Sequence, residues 1–195
     1  PLPKLDQIAV PGGFSGAMEN WGGITYIESA ILFDPATSSQ STKEGIFSII
    51  AHEIAHQWFG NLVTMAWWDN LWLNEGFATF LPSFWERERG GQDAYDLARL
   101  GTFQGGYYSQ KGGTRAVVWD GYEEPMDCFD GVLYPGGASR LFMLMDKLGE
   151  PVFWKGIKQY LDTFKYRNVT TKEFFDVMAK TSGVNLDQFK KQWIY

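Results

Sequence analysis

Two histidines and two glutamates carry the chemistry most legible in this sequence. His52-Glu53-Ile54-Ala55-His56 sets the chain's only two histidines four residues apart. On a helix that interval puts both side chains on one face, with Cβ atoms roughly 6 Å apart. Two neutral imidazoles so placed can bind one zinc ion. Glu53 follows the first histidine and can sit beside a metal without ligating it, where it could take a proton from a metal-bound water. Glu75 comes nineteen positions after His56, within Trp72-Leu73-Asn74-Glu75-Gly76-Phe77-Ala78. A third ligand there leaves the fourth tetrahedral position open, the mark of a catalytic rather than a structural zinc. A histidine pair on a helix is by itself often a surface or core feature. The confinement of both histidines to this motif, and helix-forming sequence on either side of Glu75, favour one zinc per chain.

These side chains need elements to hold them. The polar stretch 34–42 precedes a helix of about 43–59 that carries the histidines, with Ser41 or Thr42 as its N-cap and Gly60-Asn61 at its end. The tryptophan-rich segment 66–72 reads as core packing around a buried ion. A second helix, from near Asn74 to about Arg89, presents Glu75 and is kinked or restarted at Pro82. Strands are expected over 7–12 and 22–33. Between them, in Phe14–Gly22, small residues flank Glu19, so the backbone could run extended beside a ligand; the same composition also describes an ordinary glycine-rich turn. A helix over about 92–103 leads into 104–131, whose glycines read as a long loop, functional or disordered. That loop delivers Tyr134. Helices follow over about 138–148, 151–164, 171–181 (capped by Thr170 or Thr171) and 185–194. Strands first and helices after make an α+β domain.

The 195 residues suffice for one domain with a full core. Hydrophobic residues are 45% and aromatics 17%, which argues against disorder. A net charge of −6, from 17 basic and 23 acidic side chains, argues against nucleic-acid binding and favours a positively charged substrate near an acidic cleft. No run reaches the ~18–20 apolar residues of a membrane span. Cys128, the one cysteine, cannot form an internal disulfide. The start at Pro-Leu-Pro without Met suggests a piece of a longer protein.

Taken together, Gly16-Ala17-Met18-Glu19-Asn20, His52-Glu53-Ile54-Ala55-His56, Gln57-Trp58-Phe59-Gly60-Asn61-Leu62-Val63-Thr64 and Trp72–Ala78 resemble the M1 (aminopeptidase N-like) family of zinc metallopeptidases. The resemblance spans nearly the whole chain and is strongest over about 5–90. It implies a thermolysin-like (gluzincin) catalytic domain, with short N-terminal strands followed by a mainly helical lobe. On this reading residues 1–195 are the rear portion of that domain, and the family's flanking domains lie outside the chain. It also implies that Glu19 binds the free amino group of a peptide and that Tyr134 stabilises the tetrahedral oxyanion. Gly16, Ala17, Met18 and Asn20 join Glu19 in a substrate-binding segment. The sequence departs from the family after Tyr134, where Pro135-Gly136 replace the usual acidic residue and lysine.

The expected reaction is removal of N-terminal residues from peptides, with Glu53 as the base and Tyr134 as a hydrogen-bond donor to the oxyanion. Taken alone, Tyr134 would read as a packed loop tyrosine, and Met18 either as a flexible wall for the first side chain or as a core methionine. Two other functions fit the zinc motif: a related hydrolase (an endopeptidase or an epoxide hydrolase) and a scaffold that has lost catalysis. The Gly-Ala-Met-Glu-Asn segment argues against an endopeptidase, and the intact ligand set against a scaffold. Asn74, Thr79 and Asp69 are candidates to orient the zinc histidines.

Overall fold

A computed structural model of the protein describes residues 2–12, 16–111, 113 and 115–195. Phe14 and Ser15, at the head of the small-residue segment, and Gly112 lie outside the described residues. Strands β1 (Asp6–Val10), β2 (Ala17–Met18) and β3 (Gly23–Ile27) form a sheet in the order β1-β3-β2. β1 runs parallel to β3, and β2 antiparallel. Ile24 and Tyr26 of β3 are buried while their neighbours are only half-buried, the period-two pattern of a sheet with one covered face. That face packs against Ile50 and Ile54 of helix α1 (Gln40–Ala55), whose opposite rows carry the histidines. The strand expected to reach residue 33 stops at Ile27, because Glu28–Ala30 tighten into a 3-10 turn.

α1 starts earlier than its sequence suggests. The cap is Ser39, not Ser41 or Thr42: its Oγ accepts a hydrogen bond from the Thr42 N–H at 3.0 Å. α2 (Trp72–Phe80) and α3 (Pro82–Gln110) are separate helices, and Pro82 restarts the chain at a first-turn position where a missing N–H costs nothing. Gly91, at φ 77° and ψ −167°, breaks α3 where a gap between two helices is expected. Beyond Gly91 the helix overturns the expected loop. Residues 104–110 continue α3, and their glycines serve close packing, described below. The other described residues of the stretch, apart from a 3-10 turn over Pro125–Cys128, are irregular as expected.

The remaining helices are α4 (Gly137–Leu148), α5 (Glu150–Phe164), α6 (Thr171–Ser182) and α7 (Asp187–Trp193). Thr170 caps α6 in a reciprocal box with Glu173. A short parallel pair, β4 (Val63–Met65) with β5 (Arg167–Val169), ties the segment after α1 to the loop before α6. The core of the helical lobe is aromatic: Phe77, Phe80, Phe142, Phe153 and Phe174 are fully buried and meet at offset or edge-to-face angles. Burying each such ring is worth roughly 1.5–3 kcal/mol. The tryptophan segment divides. Trp72 is buried and donates its indole N–H to Thr171 Oγ1 at 2.9 Å, whereas Trp67 is 64% exposed and packs no core. Among the described residues, no helix is long and apolar enough to cross a membrane.

Candidate active site

His52 lies in the last turn of α1, His56 caps its C-terminus, and Glu75 lies in the first turn of α2; the three side chains converge on one point. His56 Nε2 lies 3.1 Å from His52 Nε2, and Glu75 Oε2 lies 3.2 Å from His52 Nε2 and 3.3 Å from His56 Nε2. Ligands about 2.0–2.1 Å from a common centre at tetrahedral angles stand about 3.3 Å apart. The three atoms therefore already occupy three corners of a tetrahedron sized for zinc. The donor set also fits chemically. His56 Nδ1 donates to the Phe59 carbonyl at 2.9 Å, which directs Nε2 toward His52 Nε2 and Glu75 Oε2. A cation at this point, whether a metal ion or a proton on an imidazole, would satisfy all three atoms. Burial opposes a charge on His56, but the hydrogen bond and charge of Glu75 prevail and lift the imidazole to about 9. Burial likewise opposes an ionised Glu75, yet the two imidazoles hold its carboxyl down at about 2.

The acceptor that orients His56 is a backbone carbonyl, not the anticipated Asn74, Thr79 or Asp69. Among the described residues Asn74 Oδ1 and Thr79 Oγ1 have no hydrogen-bond partner, and Asp69 accepts one from Asn70. Nothing in the sequence marks Phe59 for this task, because the atom used is common to every residue. Gly60 makes it possible. Its φ of +135° turns the chain back under the imidazole, and a Cβ there would lie 3.3 Å from His56 Nδ1.

Glu53 sits in the same cavity, of about 340 Å³, which is also lined by Ala17, Met18 and Glu19 from the sheet side. The residue is only 7% exposed, and its Oε2 has no hydrogen-bond partner among the described residues. Burial raises its carboxyl to about 7; His56 opposes that rise, while Glu19 and Glu75 add to it. Carboxylate oxygens of Glu19 and Glu53 and a ring nitrogen of His56 lie within 4.8 Å of one another, a second spot that favours positive charge.

Glu19, just after β2, is fastened to the segment that follows α1. The Glu19 carbonyl accepts from Gln57 Nε2 at 3.1 Å and from Asn61 Nδ2 at 2.7 Å. These two residues fix how far the Glu19 carboxylate stands from the histidines, a task their place just after the histidine motif does not announce. Met18 is 44% exposed and lines the cavity, so it is a wall and not a core residue. Gly16 and Asn20 stand back from the cavity. The Gly16 carbonyl accepts from Ile27 N at 2.9 Å, and Asn20 Nδ2 braces the turn through Thr25 Oγ1 at 3.2 Å.

Tyr134 enters the cavity from the opposite side, its ring centroid 6.1 Å from that of His52. It lies on a π-helical turn, Val132–Gly136. Pro135, the departure noted in the sequence, has no N–H to give to residue 131. Gly136 N donates to Gly131 O instead, at 3.0 Å, which widens the turn. Burial, with the charges of Glu75, Glu19 and Glu53, pushes the Tyr134 hydroxyl well above its ordinary value, so it keeps its proton and can donate. Trp68 and Phe129, which face each other at 6.3 Å, complete the wall near Tyr134.

The chain is similar in sequence to known aminopeptidases. A rat glutamyl aminopeptidase is 40% identical over 197 aligned positions, covering 98% of this chain and 21% of the relative. A bovine aminopeptidase N is 44% identical over 180 positions, covering 87% of the chain and 18% of the relative. The human aminopeptidase N is 43% identical, covering 90% and 19%. The chain thus spans about a fifth of the length of the relatives it matches. The peptidase family M1 domain model matches residues 1–193, the whole span that builds the cavity, and the chain belongs to peptidase family M1.

Proposed function

We propose that this chain carries the active site of a zinc aminopeptidase, acting on peptides with a free N-terminus. We read residues 1–195 as the rear portion of an M1 catalytic domain, with further domains flanking it in the complete protein. The observation that best supports this is the three-atom convergence at 3.1–3.3 Å, sharing one cavity with an unpartnered Glu53 oxygen and the Glu19 carboxylate. His52 Nε2, His56 Nε2 and Glu75 Oε2 would hold one zinc per chain. Zinc bound there would polarise the scissile carbonyl and acidify the attacking water toward ~7.

The other steps belong to the protein's own groups. The bare Glu53 Oε2 can take the proton of the attacking water and return it to the leaving amine. The Tyr134 hydroxyl, held protonated, can donate to the oxygen on which negative charge develops. Glu19 can pair with the substrate ammonium, the one feature all free N-termini share. Its tether to Gln57 and Asn61 sets how deep the peptide enters.

The test compares a peptide with its N-acetylated form on the complete protein, together with metal analysis. We expect one zinc per chain, cleavage at the first bond of the free peptide, and at least ~30-fold slower cleavage of the acetylated form, the equivalent of about 2 kcal/mol of ammonium recognition. Equal rates would point to an endopeptidase, and a metal-free, inactive protein to a scaffold.

A further inference from the structure

Tyr134 can help the reaction only if its hydroxyl stands at one place in the cavity, and its own turn is a poor anchor. A π-turn of five residues with an internal proline has few backbone hydrogen bonds of its own. Its rigidity must come from outside.

Asp130 lies just before the turn and reaches into it. Its Oδ1 accepts from Val132 N at 2.8 Å and from Leu133 N at 2.9 Å, while its backbone carbonyl accepts from Leu133 N and Tyr134 N at 3.1 and 3.2 Å. Arg115 grips the same carboxylate twice, Nε to Oδ2 at 2.8 Å and Nη2 to Oδ1 at 2.5 Å. Such a fork fixes orientation as well as position. Arg115 is itself immobilised. Its Nη2 also donates to Cys128 O at 3.0 Å, its Nη1 to Ala116 O at 3.2 Å, and its guanidinium lies 5.0 Å from the Trp119 ring centre. Only 11% of the Arg115 side chain is exposed.

The apolar sides of the turn are fitted as closely. A Cβ on Gly105 would meet Pro135 Cβ at 3.0 Å, and one on Gly106 would meet Pro135 O at 3.0 Å, so α3 lies flush against the turn. On the far side Gly137, next after the turn, touches Gly76, next after Glu75: a Cβ on either would come within 3.1–3.3 Å of the other's backbone. The turn is thus seated between α2 and α3, and the polar clamp at Asp130 sets its start.

We propose that Asp130 and Arg115 are positioning residues for the Tyr134 hydroxyl. They act at its turn, outside the cavity, and leave substrate binding to Glu19. This rests on the reading of Tyr134 as the oxyanion donor. Asp130 supplies the acceptor that a π-turn lacks at its first N–H groups, and Arg115 keeps that acceptor from rotating away.

The test is a kinetic cycle in the complete protein. Asp130→Ala, Asp130→Asn and Arg115→Lys are each measured alone and in a Tyr134→Phe background, with kcat and KM resolved and unfolding recorded. We expect Tyr134→Phe to lower kcat by ~10²–10³. Asp130→Ala alone should lower kcat at least ~10-fold, the scale of a misplaced group, with KM changed by less than about threefold. In the Tyr134→Phe background it should cost less than about twofold, because the hydroxyl it aims is gone. Asp130→Asn, which keeps the Oδ1 acceptor, should recover at least half of the loss on a logarithmic scale. Arg115→Lys, which keeps the charge without the fork, should repeat the pattern more weakly, and it carries the test if Asp130→Ala does not fold. A loss multiplying equally in both backgrounds would show Asp130 to be merely structural and overturn the proposal with the Tyr134 reading intact. If Tyr134→Phe itself leaves kcat unchanged, that reading fails first and the proposal falls with it.

Discussion

Gly60→Ala should damage the metal centre without touching a ligand. At φ +135° an L-residue is strained by roughly 1–3 kcal/mol. The new Cβ would stand 3.3 Å from His56 Nδ1, tighter than ordinary contact, and 3.4 Å from both Asn74 Nδ2 and His56 O, at its limit. Overpacking of this kind adds about 1 kcal/mol or more, so the expected destabilisation is about 2–4 kcal/mol. For a domain of this size that is a fall in Tm of roughly 4–16 °C. The imidazole must yield as well, stretching its 2.9 Å bond to Phe59 O, and loss of such support weakens metal binding about 10- to 100-fold. Competition with a zinc-binding dye and thermal unfolding read the two effects separately. Gly45→Ala is the control: it lies on the same histidine helix with open space where a Cβ would go, and should stabilise by up to about 1 kcal/mol. A Gly60→Ala protein that binds zinc as tightly as the parent and melts within a degree or two of it would refute the argument.

Three further outcomes follow from the same geometry. Glu53→Gln should retain its zinc while turnover falls about 10²- to 10⁴-fold, as metal analysis beside kcat will show; loss of the metal would mean that Glu53 is a ligand. Glu19→Ala should lower kcat/KM for free-amine peptides at least ~30-fold with zinc content unchanged; an unaltered rate would remove Glu19 from substrate recognition. Asp130 is titrated in the folded protein below its ordinary value: burial opposes this, but the Arg115 fork and the Val132 and Leu133 N–H groups prevail. A lowered folded value means its contribution is present above the unfolded carboxyl value of about 3.9 and is lost as pH falls from there through the folded value. Arg115→Met should therefore flatten the acid limb of stability below about pH 4, seen as a smaller loss of Tm on acidification than in the parent.

How much of this was legible in the sequence depends on the range of the interaction. The histidine pair, Glu53 and the presentation of Glu75 from a second helix follow from intervals along one or two helices, and those intervals survive folding. The restart at Pro82 and the Thr170 cap are local as well. The cap of α1 was misplaced because Ser39, Ser41 and Thr42 are all competent, and only the entry of the chain decides which accepts the Thr42 N–H. β4 and β5 are three residues each and pair across about a hundred positions, so neither carries a strand signal strong enough to see. Phe59 was invisible for another reason, since what it contributes is a carbonyl.

The glycines show where the reading of residue type went astray. In the sequence Gly105 and Gly106 read as marks of a loop, since glycine weakens a helix by about 1 kcal/mol relative to alanine. Here that cost is accepted inside α3 because a side chain at either place would collide with Pro135 or Ser139. Gly131 is of the same kind, its missing Cβ leaving room for Ser109 of α3. Pro135 and the three glycines are thus one device: the proline forces the wide turn, and the bare helix surface accepts it. Read singly, the proline was a departure from the family and the glycines were a loop. Read as partners, they fix the distance between the helix that ends beside them and the tyrosine that faces the zinc site. That partnership joins residues from 22 (Ser109 and Gly131) to 30 (Gly105 and Pro135) positions apart and has no period, so no local pattern could have revealed it.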